Sequence, residues 1–379
     1  MMKTSHPLAQ ILRQAMKEQG GRISFADFME TALYHPDSGY YMSADFTLGK
    51  HGDFTTASEM SPLYAQCFAR QCQQVLETLP NSGILELGAG LGRFAGDVLR
   101  ELNRLHASPQ HYYIYEISPT LRQKQRALIE SEYPELTSHI TWLSTPPKQF
   151  KGIIIANEVL DALPVHCFKI QNGAIMERCV TSHGDEFCWQ LTAPTTQELT
   201  RAGQALVDEL QLPDGYESEI NLKLPPFVQA VCESLTAGVI LFADYGYGRL
   251  EYYHPERDRG TLTCFQGHKS HSNPLLHPGK QDITAHVDFT SVIETAATAD
   301  CKLGGYTTQA AFLLNCGLAD LIAEQESKLS MVDQFNLRQA VKRLTMPMEM
   351  GERVKIMALQ KNTDIGLIGF RAHDRRREL

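Results

Sequence analysis

Several familiar protein classes leave marks that this 379-residue chain lacks. It has no Cys-x-x-Cys pair, and its nine cysteines are odd in number. Disulfide scaffolds are short, secreted and evenly paired, so these thiols read as reduced, mostly buried small hydrophobes. No apolar run approaches the roughly 20 residues of a membrane-spanning helix. Residues 153–156 and 238–243 are apolar but far too short. The first ten residues show neither a signal-peptide core nor an Arg-rich transit pattern, and a bacterial-type cytoplasm is the expected compartment. Basic charge is also scarce: 35 Lys and Arg against 44 Asp and Glu, a formal net charge of -9. Nucleic-acid binders lean on cationic contacts to phosphate, so DNA or RNA is not the expected partner. Internal repeats and low-complexity segments are absent as well.

What is present is an alternation of strands and helices. Leu8, Ile11, Leu12, Ala15 and Met16 recur at helical spacing, and Ser24 with Asp27 resembles a capping box before a second helix. Residues 40–62 read as a long irregular loop, a length that is uncommon unless the loop has a task. From residue 83 onward, short apolar strands (83–87, 112–115, 139–143, 152–156 and 239–243) alternate with helical stretches. Ser118-Pro119 marks one helix start. Strands alternating with helices imply a parallel sheet covered on both faces, an α/β fold. Residues 165–235 read as an α+β insertion with a turn at 182–185. Residues 246–285 read as a polar loop, with helices from about Phe289. Segments 354–360 and 365–372 read as a closing hairpin.

The chemistry concentrates on Glu86-Leu87-Gly88-Ala89-Gly90-Leu91-Gly92, between one strand and one helix. Glycines allow a sharp turn and let a ligand approach the main chain. Glu116 closes the next strand, where an acid can accept hydrogen bonds from two ribose hydroxyls. A dinucleotide site carries G-x-G-x-x-G facing a pyrophosphate, but Arg93 stands where its third glycine belongs. S-adenosylmethionine has no phosphate and fits G-x-G-x-G, with Glu86 near its ammonium group. The bland alternative is a turn that merely joins strand to helix.

Three segments together carry a family resemblance: Ile84 to Arg93, Tyr115-Glu-Ile-Ser-Pro-Thr-Leu-Arg-Gln123, and Ala156-Asn-Glu-Val-Leu-Asp-Ala-Leu-Pro164. The chain resembles the MidA family of class I S-adenosylmethionine-dependent methyltransferases. Mitochondrial members of that family are protein-arginine methyltransferases that help assemble respiratory complex I. Segments 52–62 and 278–289 agree. Two departures are visible. Ala89 stands where the family often has Pro, and Val159-Leu160 precede Asp161 where it has two aromatics. The resemblance implies a Rossmann-like mixed sheet with helices on both faces, S-adenosyl-L-methionine as cofactor, and a protein substrate, with a respiratory-complex subunit as one candidate. It also implies that the loop carrying Gly52, Asp53 and Thr55 closes over the cofactor, with Glu59 nearby.

Guanidinium is always protonated and its nitrogens are poor nucleophiles, so an arginine acceptor needs carboxylates to hold it in a fork. Glu158 first, and Asp161 second, are the expected acceptor-orienting groups, while Asn157 is expected on the cofactor. A helix N-cap is an equal alternative for Asp161. His286 with Asp288 suggests a proton-relay pair or a wall of the acceptor site, or else a buried, satisfied histidine at a helix start. His268, His271 and His277 lack the spacing of a metal site, and no metal is expected. The expected organisation is an N-terminal helical and loop region (1–80), a first half-core (81–164), the insertion (165–235) and a second half-core with C-terminal helices and hairpin (236–379). Two rival functions are a small-molecule methyltransferase and a cofactor-binding scaffold without catalysis.

Overall fold

The computed structural model describes residues 7–44, 46 and 56–379. Seven strands form the spine of the main sheet: β1 (Gly83–Leu87), β2 (Tyr112–Tyr115), β3 (Ile140–Leu143), β4 (Phe150–Asn157), β5 (Leu235–Tyr247), β6 (Lys302–Thr308) and β7 (Val354–Lys361). Their spatial order is β6-β7-β5-β4-β1-β2-β3, and a short strand, Val287–Asp288, pairs with the end of β5. Neighbours from β3 through β5 run parallel, whereas β7 lies antiparallel between β5 and β6.

The side-chain period of two explains why β4 reads as a continuous apolar run. Ile153 and Ile155 enter one core with Phe68, Phe94 and Val98 from the helices Pro62–Thr78 and Arg93–Arg104. Ile154 and Ala156 face the other way, against Leu224 and Val228 of the helix Leu224–Ser234 and Val292 of the helix Phe289–Thr298. All three isoleucines are fully buried, each contributing about 1.5–3 kcal/mol of transfer free energy.

The strand opposite β7 departs from expectation. Residues 365–372 do not pair with it as a hairpin; they carry only a 3-10 turn, Ile368–Phe370. The second partner is β6, which the apparent helical run after Phe289 conceals, because Gly304 and Gly305 break its apolar alternation. The polar stretch 246–285 also holds structure: an antiparallel sheet of Thr263–Gln266, Lys269–His271 and Asp282–Thr284.

Residues 165–235 build strands His166–Gln171, Ala174–His183, Glu186–Thr192 and Glu217–Ile220, with the expected turn at Gly184. Their sheet is completed from far away in sequence by Arg22–Ile23, which pairs with Ala174–His183. Ser24 caps the following helix, Phe25–Tyr34, by accepting the Asp27 N–H. Phe25, Phe28 and Leu33 then pack with Cys167, Val180, Cys264 and Ile283. The N-terminal helix pair therefore binds the two small sheets together and leans on Leu121, beside the main sheet's carboxyl edge.

Candidate active site

Each glycine of the turn after β1 has positive φ: +66° at Gly88, +53° at Gly90 and +91° at Gly92. A Cβ on Gly88 would stand 3.0 Å from the Val159 side chain, so the turn from β1 and the turn from β4 touch at that point. Gln125, fully buried on the helix Pro119–Glu132, clamps this turn to its acidic neighbour. Its amide donates to the Gly90 carbonyl (2.9 Å) and to Glu116 (3.2 Å), while the Trp142 indole donates to its oxygen (2.9 Å). The sequence pattern does not reveal Gln125, because one polar residue on a mostly polar helix carries no periodic signal.

Glu116 is buried, which raises its pKa, and its other oxygen accepts the Ser118 N–H at 2.9 Å. Each carboxylate oxygen has two lone pairs, so acceptor capacity for a ribose diol is left over. Ile117, next in sequence, is 49% exposed and lines the same cavity, offering an apolar face to a base. The cavity holds about 620 Å³ and runs along the carboxyl edge of the sheet. Glu86, Gly88, Gly90, Glu116, Asn157 and Glu158 all border it. Glu86 accepts the Tyr112 hydroxyl at 2.7 Å, and burial pushes its carboxyl up to about 7. The donor set, the diol acceptor and the apolar platform suit an adenosine bearing a cationic amino-acid tail. Gly52, Asp53 and Thr55 lie outside the described residues. Ser58 borders the cavity, and so does Glu59, which is held by Arg93 at 3.2 Å.

At the end of β4 the Tyr64 hydroxyl donates to Asn157. Glu158 then turns into the left-handed region, φ +53°, with its N–H on the Ala243 carbonyl at 2.8 Å. Its side chain is half-buried and opens on the cavity. One carboxylate oxygen accepts the Ala57 N–H (3.4 Å) and meets the Asn157 amide at 3.5 Å. Desolvation first, and then the Asp244 charge, push the Glu158 carboxyl up to about 8.

Asp161 is a different case. It is buried and is not part of the cavity wall; burial, followed by Asp244, Asp282 and Glu158, holds its carboxyl well above the usual range. No helix follows it, since the chain turns directly into His166–Gln171, so the N-cap alternative also fails. The expected relay between His286 and Asp288 does not form. Asp288 caps the helix Phe289–Thr298 through Thr290 and Ser291 and meets Arg249 at 3.3 Å. His286 instead stacks on Tyr245 at 6.2 Å, and burial lowers its pKa to about 4. Of the other histidines, His271 accepts the Asn273 N–H and His277 meets the Gln266 side chain. Among the described residues, no group of three or more His, Cys, Asp or Glu is arranged to hold a metal ion.

A seven-stranded spine of this order, with β7 reversed and a glycine turn at the carboxyl edge beside a diol-binding acid, defines the class I methyltransferase architecture. Comparison with known proteins agrees. A family model described as a putative S-adenosyl-L-methionine-dependent methyltransferase matches residues 67–307. The chain belongs to this family, and S-adenosyl-L-methionine is its cofactor. A candidate methyl transferase from Burkholderia thailandensis, solved with S-adenosyl-homocysteine bound, is 36% identical, with a TM-score of 0.93 over 99% of this chain and 97% of that one. The mitochondrial protein arginine methyltransferase NDUFAF7 of Homo sapiens is 27% identical over 390 residues, 93% of this chain and 84% of that protein. Its Drosophila melanogaster homolog is also 27% identical, over 370 residues.

Proposed function

We propose that this methyltransferase transfers the methyl group to an arginine side chain of a protein. The observation that carries this reading is Glu158, a half-buried carboxylate that opens on the cavity from the turn touching Gly88. Methyl transfer is an in-line displacement, so the protein's main tasks are alignment and a matching electrostatic field. Glu158 would accept hydrogen bonds from the guanidinium and draw positive charge from the attacking nitrogen. The names of the curated relatives support the same acceptor. The cofactor end would rest on Glu86, Glu116 and Asn157 with the glycine turn, and on Gly52, Asp53 and Thr55 of the N-terminal loop. Asp161 would act only through the turn that presents Glu158, and His286 as a neutral wall behind Tyr245.

A respiratory-complex subunit, methylated in the cytoplasm before assembly, is the acceptor we would test first. The test is incubation of the full chain with methyl-labelled cofactor and a cell lysate, followed by acid hydrolysis. Labelled methylarginine from wild type, and a small residue of it from Glu158→Gln, is the expected result. Label found only in small metabolites would replace this reading with that of a small-molecule enzyme. Full activity of the variant would remove Glu158 from the site.

A further inference from the structure

Asp244 is fully buried near the end of β5, one residue after the Ala243 carbonyl that receives the Glu158 N–H. It is not part of the cavity wall. Its carboxylate nevertheless organises that wall. One oxygen, Oδ2, accepts the backbone N–H groups of Val159 (3.1 Å), Leu160 (2.8 Å) and Asp161 (3.4 Å). The other accepts the Tyr245 N–H at 2.9 Å. These three consecutive donors belong to a segment with no regular secondary structure to satisfy them, and buried backbone donors must be paired. The chain therefore wraps around a single carboxyl group, which burial pushes up to about 7, and Glu158, at the entry to the wrap, stands at φ +53°. A bulky non-glycine residue holds this conformation only where its surroundings impose it.

We propose that Asp244 is the positioning residue for Glu158: by gathering the N–H groups of residues 159–161 it fixes the left-handed turn that aims the Glu158 carboxylate into the cavity. This rests on Glu158 being the acceptor-side carboxylate. An asparagine cannot replace Asp244. If its oxygen kept the three donors, its amide N–H₂ would confront the Tyr245 N–H, donor against donor. The charge of Asp244 acts as well. Glu158 is faced by Asp244 from β5, Asp161 from its own turn, Asp282 from the small sheet, Tyr64 from the helix Pro62–Thr78, and Tyr245. Among the charges raising the Glu158 carboxyl, that of Asp244 ranks ahead of Asp282.

A double-mutant cycle tests the proposal, using whichever acceptor the wild-type chain labels. Asp244→Asn should lower kcat by about 10²-fold, the scale of a misplaced reacting group, while S-adenosyl-homocysteine affinity stays within about threefold. The rise of kcat/KM with pH should move to lower pH, a shift that a merely structural role would not produce. In the Glu158→Gln background the same change should cost little, because residues that act as a unit are not additive. An equal loss in both backgrounds, or cofactor affinity falling in step with kcat, would overturn the proposal. Full activity of Glu158→Gln would instead overturn the reading of Glu158 itself. Should Asp244→Asn not fold, the turn is tested directly. Glu158→Gly should melt at a higher temperature than Glu158→Ala, since glycine accepts the imposed φ. The reverse order would show that the turn is not held.

Discussion

The Tyr64 phenol donates its hydrogen bond to the Asn157 carboxamide, so a helix that precedes the sheet in sequence is tied to the last residue of its central strand. Asn157 in turn contacts Glu158, and both border the cavity. Tyr64→Phe should keep the fold but lose about 1 kcal/mol of stability, the usual net value of one hydrogen bond. It should also weaken S-adenosyl-homocysteine binding. Thermal melting and titration calorimetry measure the two effects, and unchanged binding would detach Asn157 from the cofactor.

Glu116 accepts the Ser118 N–H on one oxygen and the Gln125 amide on the other, and it borders the cavity. Charge-assisted hydrogen bonds contribute about 1.5–3 kcal/mol. Glu116→Gln should therefore weaken S-adenosyl-homocysteine by about 10- to 100-fold by the same reckoning. Ile117→Ser should weaken it less, through lost contact with the base. Calorimetry that found Glu116→Gln binding like wild type would move the ribose elsewhere.

Burial and the Asp244 charge push the Glu158 carboxyl up to about 8, whereas an arginine acceptor, as proposed, would stay protonated throughout the working range. Only the carboxylate can hold the guanidinium, and kcat/KM reports groups of the free enzyme. Acceptor kcat/KM should thus rise from pH 6 to about 8 and then level off. In Glu158→Gln that rise should vanish along with most of the activity. A flat wild-type profile would contradict this.

Stability should run the other way with pH. Glu86 and Glu158 are raised from 4.5 to about 7 and about 8 by burial. The folded chain thus keeps protons that the unfolded chain releases, and the slope of stability against pH is negative. The contribution is complete below about 4.5 and is lost as pH climbs through 7 and 8. Melting temperature should fall between pH 6 and 8.5, and Glu158→Gln should flatten part of that fall.

Asp288 and His286 separate two roles that the sequence suggests as one. Asp288→Ala removes a helix cap and the Arg249 pairing, and should cost about 1–2 kcal/mol as cap losses do. It should leave the pH profile of kcat/KM unaltered. His286, lowered to about 4, is neutral above pH 6. His286→Asn should therefore remove no pH-dependent limb between 6 and 8, and the disappearance of one would restore the relay.

Local features of this protein were legible in the sequence because local forces decide them. The burial of Ile153, Ile154 and Ile155 on both faces dictates a central parallel strand, and Gly88, Gly90 and Gly92 dictate a turn that few other residues can follow. The resemblance carried by residues 84–93 and 156–164 pointed to the cofactor and to Glu158. Tertiary structure decided everything that depends on pairing across long separations. Gly304 and Gly305 hid β6, whose hydrogen bonds come from β7 some fifty residues on, so β7 found its second partner there and not in residues 365–372. Arg22 and Ile23 joined a sheet more than 150 residues away. Asp244-Tyr245-Gly246 reads in the sequence only as the carboxyl end of a core strand, either a border of the acceptor pocket or a plain strand end; the role of Asp244 exists only because β5 lies beside β4 and brings one carboxylate under the backbone of residues 159–161.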